Sequence, residues 1–366
     1  MNTRKIRVIH FQLSENLGGI ESFLLNVYKN IDREKYQFDF VTSVDTPANG
    51  NELTRLGGKI YKIPTLRQPI AFMISIHKVL YEGKYDIVHI HKNSAINIIP
   101  IIVAKLAKSP KIIVHSHNTQ PSTKTFLKWI HFLNRKLFLK AGITKLACSK
   151  AAGNWLFGKD GDFQVIVNGV DTDKYRFDVS TRERLRLSLG LDQDDFVIGN
   201  IGRFTPQKNQ KRLVKIFSIA HQNNQKMKLL LIGDGPEREQ VKRLVRSLGL
   251  NTSVKFLGVR HDIPQLLQAM DTMLMPSLYE GLPIVAVEAQ AAGLSLLIST
   301  TVTPEVIVTQ DVETFSLEDR DSNIADVLQS LPLRNQRQRI ESNLQVKQSG
   351  YDINHTVELL SSQYSG

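Results

Sequence analysis

FVIGNIGRFTPQKNQKRLVKIFSIAHQNNQKMKLLLIGDGP, residues 196–236, carries one complete repeat of an architecture. The apolar run 196–202 reads as a strand, the amphipathic segment 208–223 as a helix, and the apolar run 228–233 as the next strand. Short strands alternating with helices are the mark of a parallel α/β sheet covered on both faces by its crossovers. The pattern continues downstream. Strands are expected at 254–258, 272–277 and 294–299, and helices near 236–248, 262–270, 284–293 and 323–330.

The first half repeats the alternation. Strands are expected at 6–11, 36–44, 86–91, 111–117 and 145–149, with helices near 20–30, 67–82, 95–108, 124–140 and 150–157. Each half gives about five strand–helix units, as one doubly wound domain requires. At 366 residues the chain is long enough for two domains of ordinary size. The segment TDKYRFDVSTR (172–182) turns from apolar to polar and reads as the link. We therefore expect a basic N-terminal Rossmann-like domain over 1–175 and a second over 176–345. A polar C-terminal helix over 346–366 is expected to pack back on the first domain.

Composition narrows the functional class. The single cysteine, Cys148, excludes an intramolecular disulfide framework and any cysteine-cluster metal site, and its apolar setting reads as a buried thiol. The longest apolar stretch, AINIIPIIVAKLA at 95–107, holds Asn97, Pro100 and Lys105 and is shorter than the roughly 20 residues of a spanning helix. No signal-peptide core follows the basic start RKIRVIHFQL, so a cytoplasmic location is expected. The net charge of +12 is unevenly placed. Residues 1–170 hold 24 Lys and Arg against 11 Asp and Glu, and no acidic residue occurs between Asp86 and Asp160. Such a half suits an anionic partner. Nucleic acid is not expected, because no stacking-aromatic or basic-repeat module is present.

In open α/β sheets ligands bind beyond the carboxyl ends of the strands. Four loops there carry unusual residues. Gly18-Gly19 precede the first helix, where backbone amides and the positive end of the helix can approach a phosphate. His115-Ser116-His117-Asn118 follow a strand; alternation from Ile113 turns His115 inward and puts His117 at the exit, suited to gripping hydroxyls. Gly202 to Asn209 offers the Arg203 fork and the Lys208 point charge across a proline turn, which together can neutralise a diphosphate. SLYEGLPIVAVE (277–288) puts Glu280 in a loop and Glu288 in an apolar helix, about two turns apart and near one face. An unpaired carboxylate on such a helix is costly to bury, so Glu288 is expected to face a ligand or a cation. Gly281 and Pro283 shape the helix entry.

Metal chemistry is poorly supported. The strings Asp171/Asp173, Asp192/Asp194 and Asp319/Asp321 lie in polar linkers, and the ten histidines form no HExxH pair. Neither a metal nor another cofactor is expected. GxSxG is also absent.

Taken in order, these elements resemble the retaining glycosyltransferases of family 4, which have two Rossmann-like domains facing across a cleft, the GT-B fold. Gly18-Gly19, HSHN, VNGVD (167–171), GRFTPQKN, LIGDGP (231–236) and EGLPIVAVE match that family's motifs in register, and the set looks closest to bacterial exopolysaccharide and capsule transferases. The resemblance implies a nucleotide-sugar donor, UDP-linked rather than GDP-linked, giving up a hexose or N-acetylhexosamine to a glycan or polyprenyl-diphosphate-linked acceptor. It implies that Arg203 and Lys208 clamp the donor diphosphate with help from Gly18, Gly19, Gly281 and Leu282. Glu280 would bind donor sugar hydroxyls, Glu288 the ribose, and His117 the transferring sugar, with Val259 and Arg260 beside the base. The pattern departs at Ser295, where proline is usual, and at Thr303-Pro304-Glu305, which lacks the usual paired glycines. TKTFLKWIHFLNRKLFLK (123–140) places Phe126, Ile130, Leu133 and Leu137 on one stripe among Lys124, Lys128, Arg135, Lys136 and Lys140. Packed inward, that stripe makes an ordinary domain helix; turned outward, it docks on anionic membrane. A nucleotide-sugar 2-epimerase and a non-catalytic partner subunit are the competing readings.

Overall fold

Strand alternation decides which side of each sheet a residue faces, and in the first half it sorts residues onto two apolar layers. In the computed structural model, which describes residues 4–15, 18–118, 125–139, 142–159 and 161–366, the chain forms two units: Met1–Gly169 with Ile353–Gly366, and Val170–Asp352.

The first unit is built on seven parallel strands: β1 (Ile6–Leu13), β2 (Tyr36–Thr42), β3 (Ile60–Lys62), β4 (Ile87–Lys92), β5 (Lys111–Ser116), β6 (Thr144–Ala147) and β7 (Gln164–Val165). Their order is β3-β2-β1-β4-β5-β6-β7. On one face Val8, Phe38, Ile87, Ile113 and Leu146 pack under the helix Gly19–Asn30 and the C-terminal helix Ile353–Ser365. On the other, Ile9, Val41, Val88, Ile90, Ile112 and Val114 meet Phe72 and Ile76 of the helix Pro69–Gly83 and Leu156 of the helix Lys150–Phe157. The C-terminal helix reads as polar in sequence, yet buries Ile353, Thr356, Leu360 and Tyr364 at spacings of three and four residues.

The second unit has six parallel strands: β8 (Phe196–Ile201), β9 (Met227–Ile232), β10 (Val254–Gly258), β11 (Thr272–Met275), β12 (Ser295–Ser299) and β13 (Val312–Phe315), ordered β10-β9-β8-β11-β12-β13. Both sheets reverse direction beside their first strand, between β1 and β4 and between β8 and β11. At such a point the loops diverge and leave a crevice.

The division between units falls at Gly169/Val170 rather than 175/176. The segment expected as a polar link instead forms the helices Thr172–Tyr175 and Val179–Ser188. The second buries Arg186 completely. Its Nη2 lies 2.6 Å from Asp271 Oδ2, while Nη1 donates to the carbonyls of Asp192, Gln193 and Asp195. Arg182 takes the other Asp271 oxygen at 2.6 Å. These bonds let a charged helix dock where an apolar stripe is missing.

Candidate functional site

The loop after β8 and the loop after β11 meet at the switch point of the second unit. Leu278 N donates to Gln207 O (2.7 Å), Asn209 Nδ2 to Pro276 O (3.2 Å) and Gln207 Nε2 to Tyr279 O (2.9 Å). Through these bonds Lys208 Nζ comes 2.5 Å from Glu280 Oε1, with the two side chains 19% and 9% exposed. Lys208 therefore already has a counter-charge, which sequence reasoning missed by treating it as a free phosphate ligand. Arg203, by contrast, is exposed, and its guanidinium makes no ion pair among the described residues. Of these two loop cations, Arg203 is the one without an ionic partner among the described residues.

The Arg203 loop rests on the turn after β9. Gly202 N donates to Ile232 O, Phe204 N to Asp234 O and Glu237 N to Phe204 O. The two backbones run so close that a Cβ on Gly233 would lie 2.1 Å from Gly202 O, and one on Gly235 2.5 Å from Phe204 O. Both glycines also hold positive φ, 127° and 156°. The LIGDGP turn is thus the floor of the Arg203 loop.

Glu280, Gly281 and Leu282 lead into the helix Ile284–Ala291, which holds Glu288. Glu288 Oε1 accepts a 2.7 Å hydrogen bond from Tyr175 OH. Burial raises the Glu288 carboxyl above its usual range, and the Tyr175 hydrogen bond pulls it partly back. The phenol is pushed well above its normal value by desolvation and by the neighbouring carboxylate. Tyr175 lies in the supposed linker, 113 residues away in sequence, so no local pattern announces it. Of the other donor-side candidates, Val259 is 59% exposed, and Arg260 is held by Asp262 in a two-point ion pair (2.5 and 2.7 Å). The Asp-x-Asp strings are split among ion pairs: Asp171 with Lys174, Asp194 with Lys226 and Asp321 with Arg212.

In the first unit, Gly18 caps the helix Gly19–Asn30 with no side-chain cap, and a Cβ on Gly19 would meet nothing within 4 Å. The buried Glu21 ties this helix to the end of β1, accepting from Ser14 N (3.0 Å) and Ser14 Oγ (2.7 Å). His117 stands at the end of β5, its Nε2 2.8 Å from His91 Nδ1, and desolvation pushes it down to about 3. The strand histidines His10, His89, His91 and His115 are wholly buried on the same face. His115 was expected to face inward, but scanning for helical pairs overlooked His10, His89 and His91; the signal was His-x-His at 89–91 and 115–117 on neighbouring strands. Across the sheet, the ends of β1, β2 and β4 line a cavity of about 500 Å³ bounded by Gln12, Phe72, Ile90, Lys92, Asn97 and Pro100. Lys92 is buried there, and burial pushes its ammonium down to about 8.

The helix Thr125–Leu139 turns polar residues toward the body. His131 Nδ1 accepts from Ala95 N (3.0 Å), and Asn134 Nδ2 donates to Ala95 O (2.8 Å). Of the expected stripe, Phe126 and Leu133 are turned outward and Ile130 is half-buried, and Trp129 and Phe132 beside them are also half to two-thirds exposed. Lys124, Lys140 and the side chain of Leu137 lie outside the described residues. Among the described residues no helix is long and apolar enough to cross a membrane.

Known proteins carry the same layout. Residues 17–174 match the model of Glycosyltransferase Family 4, and residues 181–346 that of Glycosyl transferases group 1. The Putative glycosyltransferase EpsF of Bacillus subtilis (strain 168) is 32% identical, over 100% of this chain and 98% of that protein. The chain is a family 4 glycosyltransferase. The transferase is also similar to the UDP-Gal:alpha-D-GlcNAc-diphosphoundecaprenol alpha-1,3-galactosyltransferase of Escherichia coli, at 27% identity over 86% of this chain and 84% of that one. Its fold matches that of Anabaena Alr3699/HepE, solved in complex with UDP and glucose, with a TM-score of 0.83 at 20% identity over 99% and 100% of the two chains. At that identity the likeness concerns the fold, two Rossmann-like domains each built on a parallel sheet.

Proposed function

We propose that this transferase moves a hexose or N-acetylhexosamine from a UDP-sugar to a lipid-linked glycan acceptor, with retention of anomeric configuration and without a metal ion, in the assembly of exopolysaccharide or capsule. The observation that carries this reading is the meeting of the Arg203 loop with the Glu280–Glu288 segment at the switch point of the second unit. Cleaving the sugar–phosphate bond puts negative charge on the departing nucleoside diphosphate. Arg203 and the amides at Gly281 and Leu282 meet that charge without reorganisation, and Lys208 joins them by sharing its bond to Glu280; in a dry site such stabilisation is worth several kcal/mol. Glu288, held by Tyr175, accepts from the ribose hydroxyls. Glu280 accepts from the donor sugar, which requires it to share or release Lys208. Contact of His117 with the transferring sugar, of Gly18 and Gly19 with the phosphates, and of Val259 and Arg260 with the base belong to the same reading. A donor phosphate oxygen takes the acceptor's proton, so no side-chain base is needed.

The nature of the acceptor is supported by the Escherichia coli relative, whose name carries a diphosphoundecaprenol-linked substrate. The cavity beside Lys92, one buried cation among Phe72, Ile90 and Pro100, suits an anionic group on an apolar stem. Exposed Phe126, Trp129 and Phe132 beside Lys128 and Lys136 support the reading of this helix as a surface for anionic lipid, and with it a location at the inner face of the plasma membrane.

The test is a screen of UDP- and GDP-sugars against an undecaprenyl-diphosphate-linked acceptor, with anomeric configuration read by NMR. Acceptor-dependent UDP release and a retained anomer are expected. Conversion of the donor sugar without acceptor would instead identify an epimerase. Membrane docking is checked separately by flotation with anionic vesicles, where loss of binding in high salt and in Lys128→Glu is expected, and indifference to both would refute it.

A further inference from the structure

We propose that His10, His89 and His91 form a zinc site inside the first unit, separate from the transfer chemistry. His10 and His89 are register partners on β1 and β4, and His91 follows two residues on, so all three point to one face of the sheet. One ring nitrogen from each lies within 4.8 Å of the others. His10 Nδ1 and His91 Nε2 are 3.1 Å apart. Two nitrogens bound to one tetrahedral zinc at about 2.0–2.1 Å stand about 3.3 Å apart, so this pair already has the spacing of a ligand edge.

The outer partners match for His89 and His91, while the outer nitrogen of His10, Nε2, is buried without a hydrogen-bond partner among the described residues. A metal-bound imidazole offers one nitrogen to the ion and engages the other. His89 Nδ1 lies 2.7 Å from Tyr364 OH on the C-terminal helix, which leaves Nε2 for the metal. His91 Nδ1 lies 2.8 Å from His117 Nε2, which leaves Nε2 on the His10 side. His89 Nε2 is buried and finds no hydrogen-bond partner among the described residues. His115 stacks beside the cluster, its ring centroid 5.5 Å from that of His89. A core built only for packing would place Leu, Ile or Phe here, as the rest of this face does. Neutral imidazoles without carboxylate or thiolate neighbours favour zinc or another borderline ion over magnesium or calcium. Bound there, zinc ties β1 to β4 and, through Tyr364, both to the C-terminal helix.

The experiment uses the full chain without a histidine tag, purified from zinc-supplemented medium. Metal analysis is expected to find one zinc per chain, and cobalt(II) added to stripped protein should give the intense visible bands of a tetrahedral site at one equivalent. Zinc should raise the midpoint of thermal unfolding, and removal should reverse it. His89→Gln should lose the bound zinc and the cobalt spectrum, while His131→Gln, a buried histidine outside the cluster, should keep both. Wild-type protein with no zinc above the His89→Gln level, or with only weak octahedral cobalt bands, would overturn the proposal and leave a hydrogen-bonded stack of neutral histidines. If His89→Gln does not fold, the wild-type stoichiometry and cobalt spectrum decide alone. None of these readouts involves donor or acceptor, so failure here leaves the transfer reading untouched.

Discussion

Replacing Glu280 with glutamine should make the transferase bind UDP more tightly while slowing transfer. In the structure Lys208 Nζ is 2.5 Å from Glu280 Oε1, and both side chains are largely shielded from water. Unit charges about 4 Å apart near a protein surface interact by about 4 kcal/mol. Much of the field of Lys208 is therefore directed at Glu280 before any diphosphate arrives. Glutamine keeps the size of the side chain and can still accept from Gln207, which in the native protein lies 3.4 Å from Glu280 Oε2. Only the competing charge is lost. Since the donor must share rather than fully inherit that interaction, the expected gain is about 1–2 kcal/mol, or about 5- to 30-fold in the Kd for UDP. The sugar loses a charged acceptor, worth about 1.5–3 kcal/mol, so kcat should fall by about 10- to 150-fold. Titration calorimetry with UDP and a coupled assay of UDP release measure the two effects. Unchanged or weaker UDP binding in Glu280→Gln would show that Lys208 does not meet the diphosphate.

Three further outcomes follow from the same geometry. Glu288→Gln should weaken donor binding yet stabilise the fold near about pH 7: a raised carboxyl means the native state holds its proton more tightly than the unfolded chain, whose glutamate titrates near about 4.3, so native stability falls as pH rises through that window, and the variant escapes this loss. The gain should fade towards about pH 4 in denaturant titrations. Tyr175→Phe removes the 2.7 Å bond to Glu288 and should raise the donor KM more than it lowers kcat, by about 10-fold or more, because Tyr175 acts only by positioning the carboxylate. Asp271→Asn leaves Arg186 buried beside a neutral partner and should destabilise the second unit by about 3–5 kcal/mol, visible as an early transition on thermal unfolding.

The long strands and helices were legible because their periodicities are strong: residues 150–157 and 254–258 fall where alternation places them. The edge strands β3, β7 and β13 were not, since two to four residues cannot show a period. The helix Val179–Ser188 hid for a different reason. Its buried face is made by Arg182 and Arg186 bonding to Asp271, which hydropathy counts as solvent-facing. The candidate site divides in the same way. Arg203, Lys208, Glu280 and Glu288 stand out because loops after strands carry ligands, whereas the pairing of Lys208 with Glu280 and of Glu288 with Tyr175 depends on contacts 72 and 113 residues apart in sequence. The outward turn of Phe126 and Leu133 was equally hidden, because the inward contacts of that helix include the hydrogen bond that His131 accepts from Ala95 N and the one that Asn134 donates to Ala95 O.

UDP release from the donor, measured after brief exposure to excess EDTA and again after adding Mg²⁺ or Mn²⁺, bears most directly on the claim that fixed side-chain cations hold the leaving diphosphate. The account predicts that wild-type turnover survives EDTA and gains nothing from added metal, while Arg203→Ala loses about 10²- to 10³-fold under both conditions. Turnover abolished by EDTA and restored by Mg²⁺ or Mn²⁺, with Arg203→Ala near wild type, would contradict it.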